Sequence, residues 1–212
     1  NGVSTVIHEF GHCLGLMDLY DTSYSTGDNG GINTTDMMNN DTGDFNALWK
    51  MLLGWIDANQ IQLIEYGADL QTISLDSYTK TGSCALLLLD DGNTSIFSEY
   101  FLVQYMDFYG NDKELQWKIK KEQLRIYHIN AYLNESGNYF EYNNNGNTNS
   151  KLIEAVDQDA QYVHGEMSNT LMDPGTSVWG ATLENEYGCG YLEGDEFTPY
   201  SAPSTAKYPE NN

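Results

Sequence analysis

The first twenty residues contain two histidines four positions apart, His8 and His12, with Glu9 directly after the first. In an α-helix, residues four apart lie on the same face, about 40° from each other, so both imidazoles can reach one metal ion. Glu9 lies about 100° from His8, beside that face. This is the spacing of the His-Glu-x-x-His motif, in which two histidines hold Zn²⁺ and the glutamate acts as a general base. The pattern predicts a zinc-binding helix that begins near Ser4 or earlier.

The opposite side of this predicted helix is apolar. Side chains in an arc from about 140° to about 260° from His8 are all apolar or a thiol, and they belong to Val3, Val6, Ile7, Phe10, Cys13 and Leu14. An apolar stripe of this width typically faces the core of a domain. We therefore expect this side to be buried, with Cys13 as a buried free thiol.

A catalytic zinc site needs a third protein ligand and leaves its fourth position to water. Gly15 can end the helix, because glycine adopts positive φ at little cost, and the chain can then double back to present Asp18. The predicted ligands are His8, His12 and Asp18, with Glu9 as the general base. The bare motif also occurs by accident in helices, but the extension to Gly15 and Asp18 makes an accidental match a poor explanation.

Residues 18–44 have loop composition, rich in Asp, Asn, Gly, Thr and Ser. Within them lies the sequence Asp36-Met37-Met38-Asn39. Met38 or Met37 is placed to form a tight methionine turn beneath the metal. Packing of both methionines in the core is an equally good interpretation at this stage.

The same segment is a candidate for binding Ca²⁺, which prefers oxygen ligands. Its aspartates are interleaved with glycine and asparagine: Asp21, Asp28, Asp36, Asp41 and Asp44. No EF-hand spacing is present, and a solvated acidic loop is the simpler interpretation.

A second helix is predicted over residues 45–56, because apolar side chains recur there at helical spacing. Asp44 is a suitable N-cap for it, and Gly54 is a suitable end. The aromatic and aliphatic stripe of this helix indicates a core position rather than a cofactor site. Its members are Phe45, Leu48, Trp49, Leu52 and Ile56.

The remainder of the chain has β character. Short apolar or alternating runs separated by turn residues predict strands at residues 61–66, 70–75, 84–89, 99–108, 124–129 and 152–156. Several runs are apolar on both faces, which predicts a sheet covered on both sides. Residues 134–150 are rich in Asn and Gly and predict an exposed loop. The tail from residue 173 is loop-rich, with one short strand at most.

We therefore predict an α+β fold with two units. Residues 1–58 form the zinc-binding part of a catalytic domain, with an active-site helix, a loop with a methionine turn and a second helix. Residues 59–212 form its β-rich, mostly antiparallel remainder or a packed β-sandwich.

Tyr127 and His128 lie in one of the predicted strands. A strand histidine usually serves as a structural hydrogen-bonding group. The alternative is that this pair lies near the metal and stabilises an oxyanion.

The charge balance excludes some partners. Nine Lys and Arg stand against 31 Asp and Glu, for a net charge of −22, and such a surface repels nucleic acids. No apolar run approaches the about 20 residues of a membrane span. The three cysteines leave open whether Cys84 and Cys189 pair.

Several separate stretches resemble one family, the secreted bacterial immune-inhibitor-A type zinc metallopeptidases. The first is His-Glu-Phe-Gly-His-Cys-Leu-Gly-Leu-Met-Asp-Leu-Tyr-Asp at residues 8–21. The others, in the expected order along nearly the whole chain, are residues 36–39, 43–55, 99–105, 124–130 and 194–204. The stretches at 8–21 and 43–55 are the most specific.

The resemblance implies a secreted, Zn²⁺-dependent endopeptidase of the zincin type that acts on proteins or peptides, often with structural Ca²⁺. Its metal ligands map to His8, His12 and Asp18, its general base to Glu9 and its methionine turn to Met38. The family carries an upstream half of the catalytic domain, so this sequence is expected to be a fragment, truncated at the C-terminus as well.

A different class of function is an inactive extracellular binding module that holds zinc or calcium and recognises a protein or a glycan. The 16 tyrosines are compatible with glycan binding, since aromatic faces contact sugars, although tyrosine is also common in β cores. A zinc site with a purely structural role predicts four protein ligands, and only three are found.

Overall fold

The computed structural model describes residues 2–20, 32, 36–65, 67–69, 71–89, 94–117, 121–145, 150–156, 161–163, 166–168, 190–194 and 196–197. Four α-helices lie in these residues: α1 at Gly2–Cys13, α2 at Met37–Asn40, α3 at Ala47–Leu52 and α4 at Tyr78–Thr81. Ala58–Gln60 and Gly110–Trp117 form 3₁₀ helices. No helix in the described part of the chain is long and apolar enough to cross a membrane.

The strands that the structure describes form one five-stranded sheet and one two-stranded sheet. The five-stranded sheet has the order β1 (Ile61–Ile64), β2 (Cys84–Leu88), β3 (Glu99–Met106), β4 (Gln123–Asn130) and β5 (Ile153–Ala155). Its first pair is parallel and the other three pairs are antiparallel. A separate antiparallel pair joins β6 (Gln161–Val163) and β7 (Glu166–Ser168). The predicted α+β content and the mostly antiparallel β region are therefore confirmed.

Both faces of the sheet are covered, as the doubly apolar strands predict. Along β3, Tyr100 and Leu102 face the main core, which also contains Leu48 of α3. Phe101 points to the other face, where it packs with Tyr191 in a second cluster. The main core takes residues from both sides of the predicted unit boundary at residue 58, so the helices and the sheet share one apolar interior.

The second helix is shorter than predicted and has a different cap. The side chain of Asn46, not Asp44, accepts a hydrogen bond from Trp49 N at 3.1 Å. Both residue types are good N-caps, but Asp44 is engaged elsewhere: Asn111 donates a hydrogen bond to it and Lys50 forms an ion pair with it. Gly54 follows the helix with φ +69°, as expected of a helix-ending glycine.

The prediction that the apolar side of α1 is buried was wrong. Val3 is 76% exposed, Val6 66% and Phe10 59%, and Cys13 is exposed as a free thiol. The buried residues of α1 are His8 and Gly11. The physical reason is that α2 and the chain after α1 pack on the histidine side of the helix, so the side that carries the chemistry is also the side that is packed.

The predicted strand at 70–75 was also wrong for its described residues, 71–75, which have no regular structure. Ile73 and Leu75 alternate with exposed residues, as in a strand. However, the hydrogen bond that reaches Ser74 O comes from the side chain of Gln62, at 2.7 Å, and not from a backbone ladder. The helix α4 that follows was not predicted.

Of the described residues of the loop at 134–150, residues 135–139 and 141 are exposed and the others are partly buried, apart from the buried Asn144. Asn144 is fully buried, and its side chain bonds both Ile153 O and Ile153 N, at 2.6 and 3.2 Å. Of the tail, residues 190–194 and 196–197 are described, and Tyr191 there forms an isolated bridge to Leu124. Cys84 is a buried free thiol with a pKa raised by burial to about 12, whereas Cys189 lies outside the described residues.

Candidate metal centre

Helix α1 ends at Cys13, and the chain reverses at Gly15, as the sequence predicts. Gly15 N donates to His12 O at 3.0 Å, and Leu16 N donates to Gly11 O at 3.1 Å. This pair of bonds, with Gly15 at φ +91°, is a Schellman motif. The motif reverses the chain, so that the residues after Gly15 return along the histidine side of α1.

The returning segment is fixed by two buried leucines, Leu16 and Leu19. Leu19 N also donates a hydrogen bond to Met38 O at 2.9 Å, which ties the segment to α2. Asp18 lies between these anchors. Its carboxylate is therefore held in front of the two histidines.

The three predicted ligands converge. Asp18 Oδ1 is 3.1 Å from His8 Nε2 and 3.2 Å from His12 Nε2. Among the described residues, this is the one group of three or more His, Cys, Asp or Glu side chains whose ligand atoms all lie within 4.8 Å of one another. Nothing in the described chain supplies a fourth protein ligand of these types.

The tautomers of the two histidines follow from their other ring nitrogens. His8 Nδ1 lies 2.8 Å from Met37 O, and His12 Nδ1 lies 2.9 Å from Leu16 O. A carbonyl oxygen only accepts, so each Nδ1 carries the hydrogen, and in the neutral rings each Nε2 carries a lone pair. Two lone pairs and a carboxylate oxygen of Asp18 thus face one point, an arrangement that is favourable only with a cation or a proton between them.

This donor set fits zinc. Two imidazole nitrogens and one carboxylate oxygen are a ligand set of catalytic zinc sites, and ligands at about 2.0 to 2.2 Å in a tetrahedron lie about 3.3 Å from each other. The separations of 3.1 and 3.2 Å from the Asp18 oxygen are close to that value. The three donor atoms, all within 4.8 Å of one another, are thus compatible with one ion held by the three side chains.

Met38 lies directly against the motif helix. It is fully buried, and a Cβ atom placed on Gly11 would lie 2.6 Å from its sulfur and 3.3 Å from Phe45 Cε1. A side chain at position 11 would therefore force the Met38 side chain to move away from the helix. Met37 lies beside it, and its carbonyl orients His8.

Asp36 has a structural role at the start of α2. Its Oδ1 accepts a hydrogen bond from Met38 N at 2.7 Å, and its Oδ2 accepts from Asn46 N and Asn46 Nδ2, both at 2.8 Å. It thereby caps α2 and joins it to the start of α3. Burial raises the pKa of Asp36 to about 6, although these hydrogen bonds act in the opposite direction.

The described candidates for Ca²⁺ do not come together as one site. Asp36 and Asp44 accept hydrogen bonds from the protein, and Asp41 contacts His8 Nδ1 and Thr5. Asp21 and Asp28 lie outside the described residues. The carboxylates of this segment that the structure describes thus serve the turn and the histidine site.

Glu9 is exposed on α1, and its charge acts on the hydroxyl of Tyr20, a residue that sequence reasoning missed. The Tyr20 ring stacks on His8 with centroids 6.3 Å apart and planes at 28°, and its hydroxyl bonds to Asp18. Burial, followed by the charge of Asp18, raises the pKa of Tyr20. No periodicity marks this residue, and the one available signal was its position two residues after a ligand on a segment expected to double back.

Tyr127 and His128 are not among the residues around this centre. Tyr127 is buried in the main core. His128 points to the opposite face of the sheet, where its Nε2 lies 2.7 Å from Glu99 Oε1 and its ring packs near Phe101. The structural alternative for this histidine agrees with these contacts better than an oxyanion role.

Comparison of the chain with protein-family models, with curated proteins and with solved structures gave no match. The functional argument therefore depends on the geometry of the centre itself.

Proposed function

We propose that this chain carries the zinc centre of a secreted endopeptidase with a zincin-like catalytic subdomain. The observation that supports this most directly is the convergence of His8 Nε2, His12 Nε2 and Asp18 Oδ1, with both Nδ1 atoms hydrogen-bonded to carbonyl oxygens. The resemblance of residues 8–21 and 43–55 to secreted zinc metallopeptidases adds the substrate class, which is proteins and peptides, and the extracellular location.

Each residue of the centre has a role in this proposal. His8, His12 and Asp18 would hold the metal, and a bound zinc would supply Lewis-acid chemistry that lowers the pKa of water and polarises a carbonyl group. Glu9 accepts a proton from the attacking water at its carboxylate and passes it to the leaving amine. Its exposure on α1 leaves it accessible to water and substrate.

Two further residues maintain the geometry. Met38 fills the space against Gly11, and this packing holds the motif helix against α2. Tyr20 bonds Asp18 and covers one face of the His8 ring, which limits rotation of both ligands.

The test is a measurement of metal content together with peptide cleavage. The purified protein, dialysed against zinc and then against metal-free buffer, is expected to retain about one zinc per chain, because three protein ligands form the site. It is then incubated with a mixed peptide library, with and without a zinc chelator. Cleavage that the chelator stops and added zinc restores supports the proposal.

Two results would contradict it. A chain that retains no zinc under these conditions does not have the proposed centre. A chain that binds one zinc but cleaves no peptide in the library, both alone and joined to the upstream half that the family resemblance implies, is a metal-holding binding module rather than a peptidase.

A further inference from the structure

The buried histidine of the centre has a second carboxylate neighbour. His8 Nδ1 donates to Met37 O at 2.8 Å, and Asp41 Oδ1 lies 3.0 Å from the same nitrogen. The other oxygen of this carboxylate, Oδ2, accepts a hydrogen bond from Thr5 Oγ1 at 2.7 Å. Asp41 is thus held between the first turn of α1 and the ring nitrogen that points away from the ligand cluster.

The backbone of Asp41 adopts an unfavourable conformation that directs its carboxylate toward α1. Asp41 is the C-cap of α2 and has φ +51°, the one positive value for a residue other than glycine in the described chain. The left-handed conformation is unfavourable for most side chains, although aspartate and asparagine tolerate it best. Here it aims the carboxylate back at α1, where it meets both His8 and Thr5.

The two histidines of the centre differ in the groups that contact Nδ1 and in their exposure. His12 Nδ1 bonds the carbonyl oxygen of Leu16 at 2.9 Å, and its side chain is 34% exposed. The His8 side chain is 6% exposed, with a carboxylate in addition to a carbonyl at Nδ1. A carboxylate at this place makes an imidazole a stronger metal ligand and fixes its ring orientation.

We propose that Asp41 is a positioning residue for the metal centre: it acts through His8, keeps the hydrogen on Nδ1 and strengthens Nε2 as a donor to zinc. This inference rests on the proposed function, since it concerns the same metal. It assigns to Asp41 a role other than that of a calcium ligand.

The test measures zinc affinity by competition with a chromophoric chelator, using the whole chain. Asp41→Asn keeps the size of the side chain and tolerates the left-handed backbone, so it is expected to fold. Zinc should bind about tenfold to a hundredfold more weakly, as is typical when such a carboxylate is lost. The matched control is Asp69→Asn, which removes the same charge at an exposed position and should leave affinity unchanged.

A double-mutant cycle separates this role from a merely structural one. In a His8→Ala background, Asp41→Asn should weaken zinc binding less than about twofold, because its effect passes through the missing imidazole. An equal loss in both backgrounds would show that Asp41 acts through folding, and would overturn the inference. Wild-type zinc binding with no loss in Asp41→Asn would overturn the inference alone, whereas a wild-type chain that binds no zinc would overturn the proposed function with it.

Discussion

His8 and His128 are both buried histidines beside a carboxylate, with exposures of 5% and 9%, yet they form different kinds of site. His8 Nε2 faces Asp18 together with His12, and this group is partly open to solvent. His128 Nε2 lies against Glu99 within the sheet, where both partners are buried. The difference teaches that a candidate metal centre is recognised by several donor atoms that meet at an accessible point, and not by a histidine and a carboxylate alone.

The largest effect is expected for Glu9→Gln, which removes the proton acceptor and leaves the three ligands. Cleavage of a mixed peptide library should fall by about 10² to 10⁴ in kcat/KM, the usual contribution of a general base. Zinc content should stay at the wild-type level. Glu65→Gln, at an exposed position outside the centre, is the control and should keep full activity. Undiminished cleavage by Glu9→Gln would remove Glu9 from the mechanism.

The next effect distinguishes the two histidine sites through metal affinity. His12→Ala should weaken zinc binding by at least about a hundredfold, because a three-ligand site loses one ligand. His128→Ala should leave zinc affinity within about twofold, since its ring contacts Glu99 and Phe101 on the other face of the sheet. Competition titrations on both variants measure this, and a comparable loss in His128→Ala would mean that the sheet histidine belongs to the metal site.

The centre was predictable to the extent that it is local in the chain. Helical spacing brings His8 and His12 together, and Gly15 ends the helix with a motif that depends on a few residues. Asp41 was predicted only as a candidate calcium ligand and Tyr20 was not identified, because a left-handed turn and a stacked ring place them at the histidines and neither leaves a periodic trace in the sequence.

Prediction of the fold from the sequence has the same limit. Strands β3 and β4 were predictable from their apolar runs, whereas residues 71–75 have a strand-like pattern without a pairing partner for the backbone. The prediction that the apolar side of α1 is buried failed for another reason. Amphipathicity tells which side of a helix is apolar, but which side is packed depends on α2 and the returning segment, whose position follows from the reversal at Gly15.

A smaller effect is expected at the buried pair of His128 and Glu99, on stability rather than on metal binding. Glu99→Gln keeps the shape of the side chain but replaces a charged acceptor by a neutral one, which should lower the free energy of unfolding by about 1 kcal/mol. Zinc affinity should not change. Urea denaturation at neutral pH with a zinc titration on the same sample checks both, and a loss of zinc binding without a loss of stability would contradict the assignment of a structural role to this pair.

The smallest effect is expected for Tyr20→Phe, which keeps the ring on His8 and removes the hydroxyl that bonds Asp18. Asp18 keeps its buried leucine neighbours on both sides. Zinc affinity should therefore fall only about twofold to fivefold, less than is typical when a residue that supports a metal ligand is lost. Tyr105→Phe is a matched control, since it removes an exposed tyrosine hydroxyl that bonds Glu122 at 2.7 Å, away from the centre. If both variants bind zinc like the wild type, the stacked ring alone orients the site. If Tyr20→Phe binds zinc more than a hundredfold more weakly, the Tyr20 hydroxyl is itself a ligand. The metal centre then has four protein donors instead of three.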